Sequence, residues 1–210
     1  MLAAIDQPVL PDHARASEDP AILAAILLPG INLAIWQGHR VPAVPDAAAL
    51  ASVDDITLTC DAGHLRADMQ LALTGADYAR VEADAIAGDV AMLGGRLARL
   101  LDRDRLAVRL EVVETDACRK FHADHVSVRL IRTYAGAATQ WLDARDAAAL
   151  KAGAEPDGLT IRQLGTGDVA LFKGRQWAPD GAIVHRSPPI AGTGQRRLVL
   201  VIDPAPDGQD

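Results

Sequence analysis

The sequence predicts an α+β protein, with a helical N-terminal half packed on an antiparallel C-terminal half. Three observations carry that expectation. The stretch "ADYARVEADAIAGDVAMLGGRLARLLDRD" (76–104) repeats apolar residues at intervals of three and four, the period of a helix with one buried face. From residue 106 the pattern becomes short apolar segments divided by Gly, Pro and Asp turns, the spacing of a β-sandwich or barrel. Half of the 210 residues are hydrophobic but only 3% are aromatic, so a sizeable core must be filled by Ala, Leu, Val and Ile.

Taken in order, residues 1–19 are polar and turn-rich and read as an arm over the surface. Asp19-Pro20 can open a short helix, since Asp caps and Pro suits the first turn; Pro29-Gly30 ends it. "INLAIWQ" (31–37) leans to a strand, and 41–54 reads as a connection with a short helix. "DITLTC" (55–60) alternates as a strand, "DAGHLRADMQLALTG" reads helically, and the long helix follows, with Gly94-Gly95 as a place to kink or split. The strands expected after it are 106–114, 125–134, 139–143, 159–164, 168–174, 182–187 and 196–203. The boundary falls near residue 105: a mostly helical region 1–105 packed on a core 106–210, the two forming one integrated domain.

A net charge of −7 argues against nucleic-acid and anionic membrane partners, which need clustered Lys and Arg. The apolar run 21–36 is too short to span a bilayer and is broken by Pro29-Gly30. The beginning lacks both a basic and a long apolar region, so no signal peptide is expected. Two cysteines, Cys60 and Cys118, are too few for a disulfide framework. The expectation is a soluble cytoplasmic protein with reduced thiols; the oligomeric state is open.

The chemistry gathers in "CRKFHADHVSVRL" (118–130). Taken alone, His122-Ala123-Asp124 occurs by chance and reads as a polar strand entrance. His185, after an apolar strand and before a proline turn, changes the weighing. His-x-Asp with one distant His is the facial triad of two histidines and one carboxylate, which leaves positions open on Fe(II) for a cosubstrate and dioxygen. Arg196 and Arg197 open the last strand, where a guanidinium can grip a carboxylate in bidentate fashion. Alternation sends the two to opposite faces, so only one can serve. Arg129, Arg132, Tyr134 and Trp141 lie on strands expected to wall a pocket, or simply pack there. Arg186 and Lys173 could attract an anionic substrate. His125 is expected to face outward. "CDAGH" (60–64) and "CRKFH" (118–122) both read C-x3-H and raise a Cys2His2 zinc site; Cys118 beside His122 is the stronger form of that idea. No P-loop, no nucleophile elbow and no dinucleotide fingerprint are present.

The order H-x-D, then "GAAT" (136–139), "GDVALF" (167–172) and "VHRSPPIAGTGQRR" (184–197) resembles the Fe(II)/2-oxoglutarate-dependent dioxygenases, in particular their prolyl-hydroxylase-like branch. The resemblance implies a double-stranded β-helix (jelly-roll) core with an N-terminal helical layer. It implies iron on His122, Asp124 and His185, and 2-oxoglutarate held by Arg197 or Arg196, with Thr139 as a second contact; the strand "RLVLVID" favours Arg197. No side chain is then needed as a general base, and the substrate is a small molecule or a protein side chain. The chain departs from that pattern in having one Gly in "GAAT" and a paired arginine. The C-terminal half, especially 118–143 and "HRSPP", also resembles an uncharacterised bacterial domain family of unknown function. The alternative reading is a non-catalytic Zn(II)-binding protein of metal homeostasis that uses the same cluster with Cys118; a third is a jelly-roll binding module without metal.

Overall fold

The computed structural model describes residues 10–115 and 118–206; residues 1–9 of the expected arm lie outside it. The rest of that arm corrects the expectation, because Ala14–Ser17 form a strand, β1. Four residues of mixed character carry no alternation to detect. The strand exists through its parallel pairing with β2 (Leu33–Trp36). Between the two, Pro20–Leu27 form a 3-10 helix, and Asp19 Oδ1 accepts the Ala21 N–H at 2.9 Å, a cap of the expected kind.

β3 (Ile56–Asp61) leads into α1 (Leu65–Gly75) and α2 (Arg80–Leu101). Gly94-Gly95 does not split α2, which runs unbroken from Arg80 to Leu101. A Cβ on Gly94 would come within 2.3 Å of Leu65 Cδ2 and 3.1 Å of Leu106 Cδ1, so this glycine lets α2 approach α1 and the sheet closely. Next come β4 (Arg105–Val113), β5 (Val128–Ala135) and β6 (Gln140–Trp141). A third helix, α3 (Ala144–Lys151), was not expected. It buries none of its residues and so has no apolar stripe to betray it; Asp143 caps it by accepting from Asp146 N at 2.9 Å. β7 (Arg162–Gln163), β8 (Val169–Lys173), β9 (His185–Arg186) and β10 (Arg197–Pro204) complete the chain.

Seven strands make one large sheet in the order β1-β2-β8-β5-β10-β4-β3, and three make a small one in the order β7-β6-β9. Apart from β1 with β2, each pairing is antiparallel. The architecture is therefore mixed, with α1 and α2 on one face of the large sheet and the small sheet on the other. The region 1–105 supplies the helical layer but also β1, β2 and β3, so it is woven into the sheet. No described helix is long and apolar enough to cross a membrane.

Strand alternation divides the core in two. Leu198, Leu200 and Ile202 of β10 pack towards Leu65, Ile86, Val90 and Leu93 of the helices. Val199 and Val201 face the other way, into a second core with Phe172, Trp141 and Ile183. Full burial of each such side chain contributes about 1.5–3 kcal/mol. The helical layer is also fastened by polar contacts. Asp89 of α2 accepts from Arg132 Nη1 at 2.8 and 2.7 Å and from the Tyr134 hydroxyl at 2.6 Å.

Candidate metal centre

The centre begins with a pair of backbone hydrogen bonds. His122 N donates to His185 O at 3.0 Å and His185 N to His122 O at 2.9 Å, an isolated antiparallel bridge that adds a fourth rung to the small sheet. Directly opposed residues in such a ladder carry their side chains on the same face, with Cβ atoms about 5 Å apart. The two imidazole rings are accordingly 4.8 Å apart between centroids. Asp124 stands two residues beyond His122, where the extended chain returns to the same face. His122 Nε2 lies 3.6 Å from Asp124 Oδ1 and His185 Nε2 lies 3.2 Å from Asp124 Oδ2. One ligand atom from each of the three falls within 4.8 Å of the others.

The donor set suits a divalent cation. Each Nδ1 is within reach of a backbone carbonyl, His122 with Lys120 O at 2.9 Å and His185 with Ile183 O at 3.1 Å. An Nδ1–H given to a carbonyl leaves the Nε2 lone pair free for a metal. Asp124 Oδ2 is buried and has no aligned hydrogen bond among the described residues, although Arg129 Nη1 stands 2.8 Å away. Burial pushes the Asp124 carboxyl up, but His185, Arg129 and His122 outweigh it and hold the group at about 2. A permanently ionised carboxylate between two imidazole nitrogens is the arrangement that a cation completes.

The register of the small sheet builds the surroundings. Trp141 is the β6 partner of His185 and Arg162 the β7 partner of Trp141, so Arg162, Trp141, His185 and His122 form a row. The Phe172 ring meets the His185 ring at 4.9 Å, edge to face. A cavity of about 740 Å³ opens beside His122 and Ala123, lined among others by His13, Asn32, Phe121, Arg175 and Ile183; that size suits a small organic ligand.

The two candidate arginines part as alternation demands. Arg196 is turned outward, with Nε 2.9 Å from Glu114 Oε2. Arg197 is 1% exposed and points into the space between the sheets. It donates to Ala137 O and, at 2.8 Å, to Ser187 Oγ, two residues beyond His185. No carboxylate pairs with it among the described residues. Burial lowers its pKa to about 10, against a smaller favourable effect of Cys118. Thr139 is buried; the β6–β9 register, carried one residue on, sets it across from Ser187.

Other expected site residues lie elsewhere. Tyr134 is on the opposite face of the large sheet, donating to Asp89, so it walls no pocket here; Arg132 points the same way. Lys173 turns its ammonium to Leu28 O and the Trp177 ring, and Arg186 covers Phe121 on the outer face of the small sheet. His125 is exposed, as expected. Cys118 is exposed and stays outside the three-residue cluster; its carbonyl accepts from Ser187 N at 3.0 Å. Cys60 is buried on β3, with its thiol pushed up to about 11 by burial and Asp68, and among the described residues the two C-x3-H pairs form no metal-binding cluster. Sequence reading missed Asp203, whose carboxylate Arg129 grips at 2.8 and 2.7 Å. The signal was an acid in alternation with Val199 and Val201, which puts it on the site face.

Fold and cluster together define a class: a sheet-borne centre of two histidines and one carboxylate that could hold a divalent cation with positions left open. The model of a family of unknown function, DUF1826, matches residues 17–203, and the chain belongs to that family. No curated protein matches it. Among solved structures it is similar to a dioxygenase for auxin oxidation from rice, at 13% identity and a TM-score of 0.45, over 90% of this chain and 63% of that one. A dioxygenase for auxin oxidation from Arabidopsis thaliana, solved with 2-oxoglutarate, gives 8% and 0.47 over 82% and 68%. A prolyl-4-hydroxylase from Pseudomonas putida gives 15% and 0.38 over 82% and 99%. This chain thus spans less than two thirds of the rice protein, and likenesses of this degree carry neither substrate nor chemistry across.

Proposed function

We propose that this protein is a non-haem Fe(II)/2-oxoglutarate-dependent oxygenase, built on a double-stranded β-helix, that hydroxylates a small molecule or a protein side chain. The observation that carries the proposal is a conjunction. His122, Asp124 and His185 converge on one face, and a buried arginine with no acidic partner among the described residues lies on the same side, bonded to the residue two beyond His185. Iron and 2-oxoglutarate, when bound, supply the dioxygen chemistry, in which cosubstrate decarboxylation is coupled to hydroxylation.

The chain's own residues do the rest. The two imidazoles present Nε2 because their Nδ1 atoms are engaged by carbonyls, and Asp124 stays ionised. Arg197 is the cation for the distal carboxylate of the cosubstrate, with Thr139 beside it, while Arg196 is taken up by Glu114. Phe172 and Trp141 keep water from the inner side of His185. In this proposal the segment 106–210 carries the centre and 1–105 covers and extends the large sheet. The net charge of −7 and two free thiols suit a cytoplasmic protein acting on a partner other than nucleic acid. Three ligands with Cys118 outside them suit exchangeable ligands better than a closed structural zinc site, which takes four.

Anaerobic Fe(II) with 2-oxoglutarate should give a weak charge-transfer band in the visible that disappears in His122→Ala. Protein that shows no band and retains stoichiometric zinc through dialysis would favour the zinc reading and sink this one.

A further inference from the structure

The geometry points to Arg129 and Asp203 as the positioning pair of the metal centre: Asp203 fixes the guanidinium, and the guanidinium holds the Asp124 carboxylate in place against the two imidazoles. The inference rests on the metal reading of His122, Asp124 and His185.

Asp124 needs such a device. It sits in the irregular segment ahead of β5, and its backbone is held by the Arg175 N–H, which donates to Asp124 O at 2.9 Å. That bond fixes the main chain but leaves the carboxylate free to turn. Arg129 is the first site-facing residue of β5, and its neighbour Leu130 pairs with Ile202 of β10, which brings Arg129 beside Asp203. Nε and Nη2 take both Asp203 oxygens at 2.8 and 2.7 Å, a fork that only a guanidinium can make. The remaining nitrogen, Nη1, is 2.8 Å from Asp124 Oδ2. All three side chains are largely buried, at 13–15% exposure.

The charges also balance. Asp203 offsets Arg129, so a cation approaching Asp124 meets a neutral pair rather than a bare guanidinium. Asp203→Asn uncovers that positive charge beside the site. Arg129→Lys keeps the charge but cannot hold two carboxylates at once.

The test is a Co(II) titration of the folded apo-protein, with the ligand-field spectrum of the bound ion as a second readout. Groups that orient metal ligands are typically worth about tenfold to a hundredfold in metal affinity. Both Arg129→Lys and Asp203→Asn should weaken Co(II) by that factor. The double variant should lose no more than the worse single one, because the two residues act as one unit. In Arg129→Lys the ligand-field bands should also shift, as the Asp124 carboxylate gains freedom to turn; a merely structural residue would leave them in place. His122→Ala is the control. If it abolishes Co(II) binding while both positioning variants bind as wild type with unshifted bands, the inference is overturned and the metal reading stands. If His122→Ala itself binds Co(II) normally, the metal reading fails first.

Discussion

Replacing Arg197 by Met should make the empty protein no less stable and deprive it of its cosubstrate. A buried cation with no acid paired to it among the described residues strains the fold. Burial brings the Arg197 pKa well below the ordinary value, to about 10, which corresponds to about 3 kcal/mol against the charged form. The sign follows from proton uptake: the unfolded chain holds this proton more tightly, so the cost is full below pH 10 and fades only as pH rises above it. At neutral pH Met removes it. Met also deprives Ala137 O and Ser187 Oγ of a donor, a loss of about 1 kcal/mol each. The balance is about 1 kcal/mol in favour of Met, within reach of urea denaturation. Wild-type protein with a redox-inert divalent metal should unfold at higher temperature when 2-oxoglutarate is added, and Arg197→Met should show no such rise. Met destabilising the empty protein by more than about 2 kcal/mol, the cost of a conventional large side chain lost from a core, with the 2-oxoglutarate response intact, would refute the assignment.

Two substitutions away from the ligands separate site from scaffold. A Cβ on Gly174 would lie 2.2 Å from Val126 O, so Gly174→Ala must displace the segment that carries Asp124; Co(II) affinity should fall at least about tenfold, as for lost orientation of a ligand, and wild-type affinity would contradict the geometry. Asp89→Asn breaks the buried pair with Arg132 on the helical side of the sheet, which should lower unfolding free energy by about 3 kcal/mol and leave Co(II) affinity unchanged; a loss below about 1 kcal/mol by urea denaturation would show that Arg132 finds other partners.

Alternation was the signal that made much of this site legible, and where it was not applied the reading failed. Period two puts His122 and Asp124 on one face and separates Arg196 from Arg197. Applied to β5, the same rule separates Arg129 from Tyr134, five residues apart, and the structure accordingly leaves Tyr134 with Asp89 on the helical side. What no periodicity in one segment could supply was the pairing between segments. The bridge that joins His122 to His185 spans 63 residues, and Asp203 enters the site only through the β5–β10 register. The elements missed were those without an apolar pattern: β1, defined by its neighbour, and α3, which buries nothing. Gly94 misled for a related reason, since a glycine required by close packing looks in sequence like one that breaks a helix.

The centre draws its parts from both sheets. The histidines belong to the small sheet and its added rung, whereas Arg197 and Asp203 stand at the two ends of β10 in the large one, on the same face. Six residues at about 3.3 Å per residue separate them by about 20 Å, and each reaches inward, one through Ser187 to the neighbourhood of His185, the other through Arg129 to Asp124. Between them Val199 and Val201 pack into the apolar layer that also holds Phe172 against His185. The distance between ligands and supporting charges is therefore set by how that layer packs. Interiors are close-packed and deform little, so the geometry can be fixed by short aliphatic side chains. That explains how a chain with so few aromatic residues can hold three ligand atoms within 4.8 Å of one another although one of the three residues lies in an irregular segment.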